Sequence, residues 1–221
     1  MTIRQTSVLA YCIAERKSRI DLPIRGVEGA PVRSIDAAAL CCFASEFGTR
    51  MPDEPVPEMV KAFNQVLQRI FAQTVIIPFR FPTIVESEDV LRQFAESRSG
   101  EYARALNRLR NKVQMDIRIA LISAGAPEPS RRSGKSYLED RRGQYQKLQA
   151  MLTEFRNVSG LLAENWIQRD TPSGIYGFAL LDRSSLPAFL EKIGRVLTPA
   201  GVSARITGPW PPSEFVEVAD E

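Results

Sequence analysis

The chain has 221 residues, enough for one large domain or two small ones with a real core. Its 29 basic and 26 acidic residues leave a net charge of +3, scattered too widely to form a phosphate-tracking surface. It holds no histidine, which excludes a Ser-His-Asp or Cys-His nucleophile and any His-ligated zinc.

Val8 to Ala14 reads as a short apolar strand. Ile20 to Pro31 carries Pro23, Gly26, Gly29 and Pro31 and reads as a loop. Val32 to Ile35 and Ala38 to Ala44 predict two further strands, with a turn at Asp36-Ala37. Cys12, Cys41 and Cys42 lack metal-ligand spacing and read as small core residues, the adjacent pair facing opposite sides of its strand. Pro52, Pro55 and Pro57 lead into a helix whose stripe is Met59, Val60, Phe63, Val66, Leu67, Ile70 and Phe71, ending near Gln73. Val75 to Ile77 predicts a strand closed by Pro78. The expected result over residues 1–85 is a small α+β domain with helices on one face of its sheet.

Ser87-Glu88-Asp89 has the pattern of a helix N-cap with an acidic first turn. Val90, Leu91 and Phe94 continue that helix, Ser99-Gly100 breaks it, and Tyr102, Ala105, Leu106 and Leu109 mark a second. Residues 86–110 are therefore expected to connect the two halves. Val113, Met115, Ile117, Ile119 and Leu121 then alternate with Gln114, Asp116, Arg118 and Ala120, the pattern of a half-buried strand. Gly125 to Gly134 reads as a loop. Leu138, Tyr145, Leu148, Leu152 and Phe155 mark one face of a long helix. Glu164 to Arg169 and Ile175 to Leu181 read as a hairpin about Thr171-Pro172-Ser173-Gly174. A helix over Leu186 to Leu197 and a strand over Val202 to Ile206 complete the order. Strand, helix, strand, strand, helix, strand is the split β-α-β order of a ferredoxin-like domain, expected over 111–207, with an extended tail over 208–221.

Three short segments carry possible chemistry. Gly134-Lys135-Ser136 follows a strand and precedes a helix, as a phosphate loop does. Five positions earlier, however, stands Pro129 where the loop needs glycine, and Ser130-Arg131-Arg132-Ser133 supplies none. Ser136 is better read as a helix cap. Pro78-Phe79-Arg80-Phe81-Pro82-Thr83 brackets an aromatic-Arg-aromatic core with prolines, and alternation places Phe79 and Phe81 on one face. Those aromatics either join the core or, with Arg80, form part of a binding surface. Gly208-Pro209-Trp210-Pro211-Pro212 is extended and stiff. It either folds back, with Trp210 and Phe215 covering the protein's own core, or docks a partner.

These segments resemble the GvpL/GvpF family of gas vesicle proteins. The resemblance runs in order over nearly the whole chain: Val8 to Ile13, Gly26 to Val32, Ile77 to Thr83 with Ser87-Glu88-Asp89, Tyr137-Leu138, and Thr207 to Pro212 ending in Phe215-Val216. The chain departs from the family pattern at Pro82, where glycine is usual, and at Ser213-Glu214-Phe215, where an aromatic is missing. The resemblance implies a two-domain α+β protein without catalytic residues or cofactors. It also implies a role in assembling gas vesicles, with the hydrophobic shell protein GvpA and other accessory proteins as partners. Arg80, Phe81, Trp210 and Phe215 are the candidate partner-binding residues. No secretory signal is read over Met1 to Leu9, and no apolar run approaches the ~18 residues of a membrane span, so a cytoplasmic protein is expected. The competing readings are a nucleotide-binding enzyme using Gly134-Lys135-Ser136 and a regulatory ligand-binding module on the ferredoxin-like sheet.

Overall fold

The computed structural model describes residues 7–16, 20–21, 24–48, 56–122 and 134–216, the last stretch without the side chains of 134–141. In chain order the elements are β1 (Ser7–Glu15), β2 (Arg33–Ala37), β3 (Leu40–Phe47), α1 (Pro57–Phe71), β4 (Ile77–Val85), α2 (Glu88–Ser97), α3 (Ser99–Arg108), β5 (Lys112–Leu121), α4 (Gly134–Ser159), β6 (Ala163–Thr171), β7 (Gly174–Asp182), α5 (Leu186–Gly194) and β8 (Val202–Trp210). They form two compact units, each with a four-stranded antiparallel sheet. The first runs to Asn111 and takes the chain back from Pro211; the second is Lys112–Trp210.

The first sheet has the order β2-β3-β1-β4. One face carries Val8, Ala10, Ile13, Cys42 and Ala44, packed against Leu91 and Ala95 of α2 and Tyr102, Ala105 and Leu106 of α3. The opposite face carries Tyr11 and Ser45, and the Tyr11 ring stacks on Phe63 of α1 at 5.1 Å. Helices therefore cover both faces, not one as the sequence suggested. That is why Val8 to Ala14 is buried throughout and reads as a continuous apolar run. It also corrects the reading of 86–110 as connecting helices, because α2 and α3 are the second wall of the core.

Local boundaries moved for identifiable reasons. The β2–β3 turn lies at Ala38-Ala39, with Ala38 at φ 52, two residues beyond the expected turn; no Asn-Gly or Asp-Gly pair marks it. Strand β4 does not stop at Pro78 but continues through Pro82 to Val85. It lies at the sheet edge, where a residue without an N–H breaks no central ladder. The break between α2 and α3 falls at Arg98, and Gly100 lies inside α3.

The second sheet has the order β6-β7-β5-β8, and with α4 and α5 as crossovers it is the split β-α-β arrangement. Both sheets share this strand order, although among the described residues the first unit has one 3-10 turn, Val27–Gly29, where the second has α4. Val113, Met115, Ile117 and Ile119 are buried with Leu148, Leu152 and Phe155 of α4 and Phe189 and Ile193 of α5. Gly177 lets α4 approach β7: a Cβ there would lie 2.6 Å from Leu152. Lys112 ties three strands by ion pairs to Glu164 and Asp182, and its hydrogen bond to Glu164 raises its pKa. Helix α5 ends at Gly194, short of Leu197, and β8 runs on to Trp210, so the unit does not close at 207. Of the loop expected over 125–134, residues 125–133, with Pro129 and Arg131-Arg132, lie outside the described residues. Helix α4 already includes Gly134, which places Ser136 within the helix and not at its cap.

Candidate interaction surface

Between Cys12↔Pro78 and Ala10↔Thr83, two steps along β1 face five along β4, so Phe79 to Pro82 bulge from the edge of the first sheet. The Phe81–Pro82 peptide is cis, and the Thr83 hydroxyl donates to the Arg80 carbonyl at 2.6 Å across the bulge. The bulge cancels simple alternation. Phe79 joins the α2/α3 side, with its ring 6.1 Å from Phe94, whereas Phe81 turns to the α1 side, 5.0 Å from Phe63. The expectation that both rings share a face is thus corrected. Arg80 stands exposed between them.

Beside the bulge, α2 presents Val90 and Phe94 at helical spacing of four, with Arg98 at its C-cap. Val90 and Phe94 are 42% and 38% exposed, and the Arg98 guanidinium lies 5.7 Å from the centre of the Phe94 ring. Phe94 also meets Tyr102 at 6.2 Å. Phe79, Phe94 and Tyr102 therefore form one aromatic run from core to surface, with Arg98 at its rim. This stripe on α2 was not singled out from the sequence, although the spacing of Val90, Phe94 and Arg98 was the available signal.

The Pro-Trp segment divides between the units. Two steps along β5, Gln114 to Asp116, face three along β8, Thr207 to Trp210, so Gly208-Pro209 makes a second bulge with a cis peptide. Gly208 has φ +131, and a Cβ there would lie 2.8 Å from the Gln114 carbonyl oxygen and 2.7 Å from Met115 Sδ. Trp210 is half-buried at the end of β8, its Nε1 donating to Thr207 Oγ1 at 3.3 Å. Pro211, Pro212 and Phe215 are buried in the first unit, where Arg108 Nη2 donates to the Phe215 carbonyl at 2.8 Å. The structure brings Arg80 and Phe81 together, packs Phe215 inside the first unit and sets Trp210 in the second.

The three cysteines of the first unit are not poised for covalent chemistry. Burial, ahead of neighbouring charges, holds the Cys12 thiol well above its ordinary range and pushes Cys41 up to about 11 and Cys42 to about 12. These thiols stay protonated at neutral pH and are weak nucleophiles. An open pocket of about 890 Å³ at the end of β1 is lined by Glu15, Arg16, Gln73, Thr74, Arg110 and Asn111, among others. Its charges are already engaged, Arg110 with Glu15 at 2.7 Å and Arg16 with Asp36 at 3.0 Å. Among the described residues no group of three His, Cys, Asp or Glu is placed to hold a metal, and no helix is long and apolar enough to cross a membrane.

A family model for the gas vesicle synthesis protein GvpL/GvpF matches residues 7–217. The chain belongs to the GvpL/GvpF family. Gas vesicle protein L of Streptomyces sp. (strain CB03234) is 24% identical, over 74% of this chain and 71% of that protein. The crystal structure of GvpF from Anabaena sp. PCC7120 superposes with a TM-score of 0.79 at 14% identity, covering 97% of this chain and 98% of that one. GvpF from Microcystis aeruginosa gives 0.75 at 15% identity, covering 96% and 99%. These two structures share the fold of this GvpL/GvpF protein: two four-stranded antiparallel sheets with their helices.

Proposed function

We propose that this GvpL/GvpF protein is a non-enzymatic assembly factor that holds the hydrophobic shell protein GvpA, in the cytoplasm and at growing gas vesicles. A shell subunit whose inner surface must stay dry is apolar and needs a partner that shields it before polymerisation. The observation that carries the reading is the exposed stripe of Val90 and Phe94 beside the β4 bulge, backed by Phe79 and rimmed by Arg98. Aromatic and arginine side chains on a rigid support are the common anchors of protein interfaces. In this reading Arg80 and Phe81 contribute through the bulge, Trp210 forms a separate contact on the second unit, and Phe215 acts from within by anchoring the returning chain.

Co-precipitation with GvpA tests the proposal. The wild-type chain should retain GvpA well above an unrelated α+β domain, and V90S/F94S should lose most of that retention while remaining folded by circular dichroism. Retention by wild type no better than the unrelated domain, or undiminished in V90S/F94S, sinks the reading.

A further inference from the structure

On the second sheet, α4 and α5 pack against the face carrying Met115, Ile117 and Gly177. The opposite face carries an unusual row. Arg169 of β6 pairs with Tyr176 of β7, Tyr176 with Arg118 of β5, and Arg118 with Arg205 of β8. Three arginines and one tyrosine thus cross all four strands in a single line. All three arginines are exposed. Like charges directly opposite on one sheet face repel, and Arg118 and Arg205 are such a pair. Asp116, in the next row of the same face, is held by Gln114 Nε2 at 2.8 Å.

We propose that this Arg169–Tyr176–Arg118–Arg205 row docks an acidic segment of a partner protein. The charge complementarity is direct: carboxylates laid along the row relieve the Arg118–Arg205 repulsion and gain charge-assisted hydrogen bonds. Strands sit about 4.8 Å apart, so the row is roughly 14 Å long, close to the ~13 Å spanned by residues i, i+2 and i+4 of an extended chain. The aromatic rings argue against the other polyanion. Single-stranded RNA on such a sheet needs open ring faces for its bases. Here the Arg118 guanidinium already lies 5.4 Å from the Tyr176 ring centre, Arg169 covers Phe178 at 5.6 Å, and Phe178 is only 7% exposed. The face therefore offers guanidinium groups and not bare rings.

Fluorescence anisotropy of the full chain in 50 mM salt provides the test. The probes are a labelled peptide of alternating glutamate and serine and a labelled oligouridylate of equal charge. The peptide should bind saturably and more tightly than the RNA. Binding should weaken at least tenfold in R118E/R205E and change less than twofold in R104E/R142E, which alters the net charge equally. If R118E/R205E does not fold by circular dichroism, R205Q alone should weaken binding at least threefold. No saturable peptide binding, equal losses in both double variants, an unchanged R205Q, or tighter RNA binding overturns the proposal. None of these variants touches the α2 stripe, so this failure and that of the GvpA reading are separable.

Discussion

The Tyr11 hydroxyl reaches Ser45 Oγ at 2.9 Å and accepts from the Val27 amide at 3.0 Å, and Gly26 supplies the room for it. A Cβ on Gly26 would collide with the hydroxyl and lie 2.9 Å from Cζ. Tyr11→Phe strands two polar groups and should cost about 1–3 kcal/mol. Gly26→Ala should cost a similar amount through displacement of the ring, about 1–3 kcal/mol. Because the first change removes the atom that the second meets, the double variant should cost less than the sum in urea unfolding. Simple additivity would show that the contact does not hold. The thiols make a second prediction at this scale. A folded-state pKa above the unfolded one gives stability that is present below the unfolded pKa and lost as pH rises through the folded one. Cys41 and Cys42, pushed up to about 11 and about 12, should therefore each remove stability above pH 9, by about 1.4 kcal/mol per pH unit while only the unfolded thiol is ionised. C41S/C42A should flatten that loss in a pH series of melting curves.

At the scale of the element, the β4 bulge sends Phe79 and Phe81 into different clusters, Phe94 on one side and Phe63 on the other. Each truncation to alanine of these half-buried rings should cost about 1–3 kcal/mol, below the ~3–5 of a fully buried ring. With no shared partner, the two costs should add within about 0.5 kcal/mol. A coupling well above that in chemical denaturation would mean that the rings share one face after all. Alternation misled here because it assumes an unbroken ladder. Elsewhere in β4 the period of two holds, with Ile84 opposite Leu9 and Val85 opposite Val8. Helix α2 was legible at both ends of its logic: Ser87 caps the Val90 amide at 3.3 Å, and Leu91 and Ala95 are buried.

For the molecule as a whole, the return of the chain after Trp210 is the decisive event. Phe215 is 6% exposed, and its carbonyl is held by Arg108. Phe215→Ala should cost about 3–5 kcal/mol, and ending the chain at Trp210 should cost at least as much. The fragment 112–210 carries all four strands of its own sheet in one stretch, so it should unfold cooperatively by itself. The fragment 1–111 lacks the returning segment and should be less stable than the same unit within the whole chain. Differential scanning calorimetry of the two fragments and the truncated chain checks this, and a fragment 1–111 as stable as the intact unit would contradict it.

The sequence by itself determined the strand and helix types, the split β-α-β order of the second half and the family. Hydrophobic period and turn residues act locally, and Gly208-Pro209-Trp210 is specific in its spelling. Arg80 stands exposed in the bulge, where five steps along β4 face two along β1, a register that no local pattern of β4 encodes. Tertiary structure alone decided that α2 and α3 close the first core, that the Pro-Pro segment returns there, and that three arginines fall in one row. Each of these depends on which strands become neighbours. No local pattern encodes that, because the partners lie as much as 107 residues apart, as Arg108 and Phe215 do.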